Sequence, residues 1–157
     1  MKLDKTDRRI LAHLQTMPDA TAAAVAERSG VSQATCWRRL QRFRETGLIP
    51  PQYVRLDRKA AGFNAMVFAL VKLDTQGRAN LEEFSDAIAG FPEVQECFVL
   101  MGSVDFLLRI VTADVEAYER FFFEKLSQVP GVREVTSNIA LSEIKSTHLL
   151  PLEFLAG

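Results

Sequence analysis

The chain is poor in the residues that build disulfide frameworks and metal centres: 157 residues hold two cysteines, two histidines and one tryptophan. Cys36 and Cys97 are too few for a disulfide scaffold and suit a reducing compartment, each reading as a small apolar core residue. His13 and His148 have no Asp, Glu or Cys at ligand spacing, so no metal site is expected. No apolar run reaches the roughly 18 residues that a membrane span needs. The N-terminal MKLDKTDRR lacks an apolar signal core, so a cytoplasmic protein with no membrane partner is expected. Nucleophile–base pairs and phosphate-cradling loops are also missing, which argues against an enzyme. What remains is ordinary globular stuff, 48% hydrophobic and 25% charged, enough for one generous domain or two small ones.

The net charge of −1 conceals a division. Residues 1–60 carry twelve Lys and Arg against six acids, and the remaining 97 residues carry seven against fourteen. A basic head on an acidic body suggests that only the head meets a polyanion.

The head reads as three short helices. Asp4 is a helix N-cap with Asp7 in the first turn; Ile10, Leu11 and Leu14 follow at helical spacing, and Met17-Pro18 closes the helix. A second helix runs from about Thr21 to Ser29-Gly30, where glycine supplies a turn. Ser32 then caps a third, Gln33 to Glu45, ended by Thr46-Gly47. This is the pattern of a helix-turn-helix. Cys36, Leu40 and Phe43 form the buried stripe of the third helix. Its first turn, where a recognition helix meets base edges, holds Ser32, Gln33, Ala34 and Thr35. With Trp37, Arg38, Arg39 and Arg42 these make the expected contact set for double-stranded DNA, the arginines gripping phosphate or guanine.

Pro50-Pro51 ends the head, and Tyr53 to Asp57 alternates like a strand before the turn Ala61 to Asn64. The expected division is therefore a helix-turn-helix over 1–50, a linker with a strand over 51–64, and a body over 65–157. In the body, strand patterns at 65–74, 94–101, 104–112 and 132–144 alternate with helices at 78–90 and 114–128. The order βαββαβ is ferredoxin-like, so the fold class is α+β. Apolar residues fall on both parities of the strands (Met66, Val67, Phe68, Leu70, Val71), so both sheet faces are expected to be buried, the second by another copy of the sheet. A homodimer follows. Phe121-Phe122-Phe123 splits over different helix faces and reads as core plus interface. The apolar tail Leu149 to Leu155 is expected to pack on a neighbouring subunit.

The stretches LDKTDRRILAHLQ, GVSQATCWRRLQRFRETGLI, FVLMGSVDFLLRI and VREVTSNIALSEIKSTHLLPLE resemble, in order and over nearly the whole chain, the Lrp/AsnC (feast/famine) family of transcription regulators. The resemblance implies a winged helix-turn-helix, a ferredoxin-like effector domain, and dimers that assemble to tetramers or octamers. The chain departs from the family at Pro51-Gln52, where a Gly-Tyr pair is usual.

The hairpin Gly102-Ser103-Val104-Asp105 can be read chemically. An amino-acid ligand needs an acceptor for its ammonium, donors for its carboxylate and a wall for its side chain. Asp105 offers the acceptor, Gly102 lets the backbone approach, Thr136, Ser137 and Asn138 offer donors, and Leu100 and Met101 a wall. The same residues also make an ordinary turn with Asp105 as its cap, and the residues alone leave both readings open. The family resemblance places an amino-acid effector site at this hairpin, between subunits, with no other cofactor. The alternative to a DNA-binding regulator is a ligand-sensing or protein-interaction module that does not touch DNA.

Overall fold

A computed structural model of the chain describes residues 2–17, 19–51, 53–74 and 81–155. The chain forms two compact units: residues 1–54 with 145–157, and residues 55–144.

The first unit is built on α1 (Lys5–Thr16), α2 (Ala22–Arg28) and α3 (Gln33–Glu45). Each begins at a side-chain cap, which satisfies amide groups that have no partner within a helix. Asp4 accepts from the Asp7 amide while the Asp7 carboxylate accepts from the Asp4 amide, a complete capping box. Thr21 caps α2 and Ser32 caps α3, as the sequence indicates. Gly30, at φ 61°, makes the turn between α2 and α3 in a backbone region costly for other residues. The expected stripe of Cys36, Leu40 and Phe43 is buried, packed with Ile10, Leu11, Val25 and Ala26. Burial pushes the Cys36 thiol pKa up, which keeps it an unreactive core residue.

The tail corrects an expectation. Assigned from sequence to the body, residues 145–155 group with the head, and Leu152 completes its core, while Leu149, Leu150, Phe154 and Leu155 remain exposed. The expected strand over Tyr53–Asp57 is also absent; the described residues there are irregular, and Tyr53, Val54 and Leu56 are exposed. A strand needs a neighbouring strand for its backbone groups, and none of the described strands pairs with this segment.

The second unit holds β1 (Ala65–Leu73), α4 (Leu81–Ala89), β2 (Val94–Val99), β3 (Phe106–Thr112), α5 (Val115–Glu124) and β4 (Val132–Ile139). The strands form one antiparallel sheet in the order β2-β3-β1-β4, the expected ferredoxin-like arrangement. Strand residues of one parity (Val67, Ala69, Val71, Leu73; Phe106, Leu108, Ile110) pack under Phe84 and Ile88 of α4 and Tyr118 and Phe121 of α5. The last helix ends at Glu124 rather than 128: Lys125 breaks it and turns its ammonium onto Glu93 at 2.6 Å, near the rings of Phe91 and Phe121. The strands bounding the hairpin stop at Val99 and resume at Phe106, and β4 ends at Ile139, all shorter than the sequence pattern implied.

The opposite sheet face is left open. The strand register puts Phe68 and Leu70 of β1, Phe98 of β2 and Leu107 of β3 on it, half-buried or exposed, on the face where a second copy of the sheet is expected. Cys97, read as a core residue, is exposed because β2 is an edge strand.

Candidate functional site

The third helix divides its polar residues by angle. At about 100° per residue, Arg38 stands nearly opposite the Cys36–Leu40–Phe43 stripe, whereas Arg39 lies about 60° off its centre. The consequence is direct. Arg38 projects into solvent with no ion-pair partner among the described residues. Arg39 reaches α1, its guanidinium 2.7 Å from the Asp4 carboxylate and 2.5 Å from that of Asp7. Arg42 adds a third contact, 2.7 Å from the same Asp7 oxygen, while its guanidinium lies over the Phe43 ring.

Asp7 is therefore a buried charge, 1% exposed, with both oxygens occupied: one by the Asp4 amide, the other by two arginines. A buried carboxylate persists only when paired and hydrogen-bonded in this way. Arg39 and Arg42, expected at the DNA face, brace α1 against α3 in the free chain. The sequence carried a signal for this, since arginines three apart flank the apolar stripe and two aspartates three apart open α1. The two spacings match across the helix pair.

What the head leaves outward is the start of α3. Ser32, Gln33 and Ala34 are exposed and Thr35 is half-buried; Trp37 is 58% exposed and Arg38 exposed. The Ser32 hydroxyl accepts from the Thr35 amide and donates to the Thr35 hydroxyl at 2.8 Å, so these two groups are held in place rather than free to rotate. The result is a capped helix N-terminus, amide-rich and partly positive, bordered by an indole and a guanidinium. Such a surface can enter a major groove.

The body has a hollow at the β2–β3 loop, about 380 Å³, lined by Leu81, Val99, Leu100, Gly102, Asp105 and Phe106. Of the residues expected at an effector site, it gathers Leu100, Gly102 and Asp105. A side chain at Gly102 would meet nothing within 4 Å, so the space beside this backbone is open. Met101 and Ser103 are exposed and Val104 half-buried, away from the lining. Thr136, Ser137 and Asn138 are not brought there by this chain. They lie on β4, separated from β3 by β1; Thr136 and Asn138 take the open sheet face, while the Ser137 hydroxyl is bonded to that of Tyr118 on the helix side. Leu81 was missed from sequence because its spacing with Phe84 and Ile88 reads as core.

Asp105 serves the fold as well. Its carboxylate accepts the Leu73 amide at 2.8 Å, its own amide donates to the Val71 carbonyl and its carbonyl accepts from Leu100, so it closes both the β1–β3 ladder and the loop. The turn reading that the residues left open is thus part of its role. A carboxylate accepts several hydrogen bonds, so this duty is compatible with a ligand ammonium.

Comparison with known proteins follows the two units. Residues 3–49 match the model of a winged helix-turn-helix DNA-binding domain, and residues 66–150 that of the Lrp/AsnC ligand binding domain. Among relatives, the transcriptional regulator AzlB of Bacillus subtilis is 33% identical over 96% of both chains. The DNA-binding transcriptional activator DecR of Escherichia coli is 32% identical over 96% of this chain and 99% of its own. Among solved structures, an AsnC family regulator from Agrobacterium tumefaciens superimposes with TM-score 0.89 at 34% identity, covering 98% of this chain and all of that one. A transcriptional regulator from Neisseria meningitidis in complex with L-Met does so with TM-score 0.89 at 32% identity, covering 96% and 97%.

The bracing role makes two expectations. Asp7→Ala leaves two guanidinium groups facing an empty site and lowers head stability by about 3 kcal/mol, the low end for breaking a buried pair because both arginines keep some solvent. Arg38→Ala changes stability by less than about 0.5 kcal/mol; urea unfolding followed by Trp37 fluorescence compares them. The Asp4 carboxyl is held below its ordinary pKa by the Arg39 hydrogen bond and then by the Asp7 amide. Its contribution is therefore present above the unfolded value near 3.8 and lost as pH falls through the lower folded value. Asp4→Asn should flatten the loss of head stability in this acid range, and an unchanged profile would remove Asp4 from the brace.

Proposed function

The chain belongs to the Lrp/AsnC family, and from that premise we propose that it is a transcription regulator whose head binds double-stranded DNA and whose body binds an amino acid. The observation that carries the first half is the sorting of arginines on α3: two are committed to α1, and the helix start with Trp37 and Arg38 is presented outward. Ser32, Gln33, Ala34, Thr35, Trp37 and Arg38 form the contact face, Gln33 and Arg38 reading base edges or phosphates. The chain acts in the cytoplasm, where DNA is accessible, and without catalysis; among the described residues no helix is long and apolar enough to cross a membrane.

For the second half, the hollow combines one carboxylate with the apolar side chains of Leu81, Val99, Leu100 and Phe106. An α-amino acid with an uncharged apolar side chain matches it: its ammonium meets Asp105, and the lining disfavours an acidic side chain. Methionine, found with the Neisseria relative, is of this class. The donors for the ligand carboxylate include the backbone around Gly102, with Thr136 and Asn138 contributed by a second subunit. That subunit covers the open sheet face. The apolar patch of Phe68, Leu70, Phe98 and Leu107 is flanked on the same face by the ion pairs Lys72–Glu134 and Arg109–Glu96, an apolar centre with a polar rim as in protein interfaces. Dimers formed this way assemble further, to tetramers or octamers.

A duplex taken from upstream of the chain's own gene tests the DNA reading. Fluorescence anisotropy should show binding that weakens by orders of magnitude between about 50 and 200 mM salt. Arg38→Ala should cost about 1–3 kcal/mol of affinity; a protein-interaction module would give no binding to any duplex. For the ligand site, each of the twenty amino acids is screened by thermal shift, since a ligand bound only by the folded state raises the melting temperature. Asp105→Asn keeps an acceptor for Leu73 yet removes the charge, so it should abolish the shift from an apolar amino acid and leave DNA binding intact. A shift retained in that variant would move the ammonium site away from Asp105.

A further inference from the structure

The head is not made of its first fifty-four residues alone, because residues 145–157 belong to the same unit and are seated on α1 by three separate contacts. Leu152, in a short 3-10 turn (Leu152–Phe154), is 8% exposed and joins Ile10, Leu11, Val25 and Phe43 in the head core. The Gln15 side-chain amide pairs with the Leu150 backbone in both directions, its Oε1 accepting from the Leu150 amide at 2.7 Å and its Nε2 donating to the Leu150 carbonyl at 3.2 Å. The Arg8 guanidinium donates to the Leu155 carbonyl. Arg8, Leu11 and Gln15 recur at three and four residues, so they line one face of α1. A side-chain amide that reads a backbone unit as another peptide would is a register-fixing contact, not unspecific apolar collapse.

The chain thus leaves the head after Val54, passes through the whole body, and returns to α1 after Ile144. The first connection is itself shaped: the Asp57 carboxylate accepts the Ala60 amide at 2.7 Å, and the Asn64 amide donates to the Ala113 carbonyl at 3.0 Å. The second, residues 140–148, spans at most about 30 Å when fully extended. A head tied at one point explores every orientation its linker permits. Tied at two, it keeps only those that satisfy both closures.

We propose that the C-terminal tail is a clip: by fastening residues 150–155 to Arg8, Leu11 and Gln15 of α1, it gives the head a second tether to the body and restricts the motion of the recognition helix. The use of that restriction rests on the regulator reading above, because a ligand in the body shifts the head only through connections that distinguish the body's states.

The single tryptophan of the chain, Trp37, lies on α3, so its time-resolved fluorescence anisotropy reports head motion with no added label. The full-length protein is compared with Leu152→Asp, Gln15→Ala and, as a control, Val25→Ala, which loosens the same core while leaving the Gln15 and Arg8 hydrogen bonds to the tail in place. Wild type should decay, after fast ring motion, with the slow rotation of the whole assembly. Leu152→Asp should add a component of nanosecond order with substantial amplitude, Gln15→Ala a smaller one and Val25→Ala none, with helix content retained by circular dichroism. Should Leu152→Asp lose its helices, Gln15→Ala decides, since it removes only the paired hydrogen bonds to Leu150. Decays identical to wild type in both clip variants would overturn the proposal, as would an equal effect of Val25→Ala. On a duplex that wild type binds, Gln15→Ala should weaken binding several-fold. A wild type that binds no duplex defeats the regulator reading but not the clip, which the anisotropy judges without DNA.

Discussion

The buried carboxylate of Asp7 is the constraint on which the head is organised. An ionised oxygen pair withdrawn from water is tolerable only with full hydrogen bonding, and Asp7 obtains it from three directions: the amide of its own cap and two guanidinium groups of α3. These contacts are directional where the surrounding Ile10, Val25, Cys36 and Phe43 are not. Apolar packing sets that α1 and α3 touch; the Asp7 network sets the register at which they do. It also decides which basic residues remain for a polyanion. Arg39 and Arg42 keep their charge but orient their guanidinium groups towards α1, while the first turn of α3, Arg38 and Arg44 face outward.

In the body the corresponding constraint is that a sheet has two faces and this chain brings helices to only one. Val67, Ala69, Val71, Leu108 and Ile110 are sealed beneath α4 and α5. Phe68, Leu70, Phe98 and Leu107 on the other side have no such cover from the described residues. Leaving contiguous apolar area in water costs on the order of 25 cal/mol per Å². The ion pairs at its margins, Lys72–Glu134 and Arg109–Glu96, are half-exposed and contribute little alone, but they mark where apolar surface gives way to solvent.

The sequence was most legible where one residue sets one local conformation. Asp4, Thr21 and Ser32 fixed three helix starts, Gly30 the turn, and the stripe of Cys36, Leu40 and Phe43 the buried face. The sheet order followed from the alternation of periods. Legibility failed where the outcome depends on a partner distant in the chain. Tyr53–Asp57 alternates correctly yet forms no strand, because alternation describes side chains and a strand also needs a neighbour's backbone. The tail is visibly too apolar for water, but nothing local says that Leu152 fits among helices at the other end of the chain. Arg38, Arg39 and Arg42 are chemically equal in composition, and only the helical angle relative to the stripe separates solvent from brace. Thr136, Ser137 and Asn138 were grouped because they adjoin in sequence, although alternate residues of a strand point to opposite faces.

Asp105 belongs both to the proposed ligand site and to the architecture. It sits in the lining of the hollow and, through the Leu73 amide, at the end of β1, the strand that hydrogen-bonds to both β3 and β4. The β1–β4 register shifts at Lys72/Leu73, directly beside that bond. On the proposed reading of the hollow, a ligand ammonium would share with the Leu73 amide the carboxylate that holds this irregular point. β4 leads on to residues 140–155 and so to α1. β1 hydrogen-bonds to β4 as well as to β3, so the continuation of β4 is a covalent path from the strand that Asp105 holds to the helix that Asp7 fastens to α3.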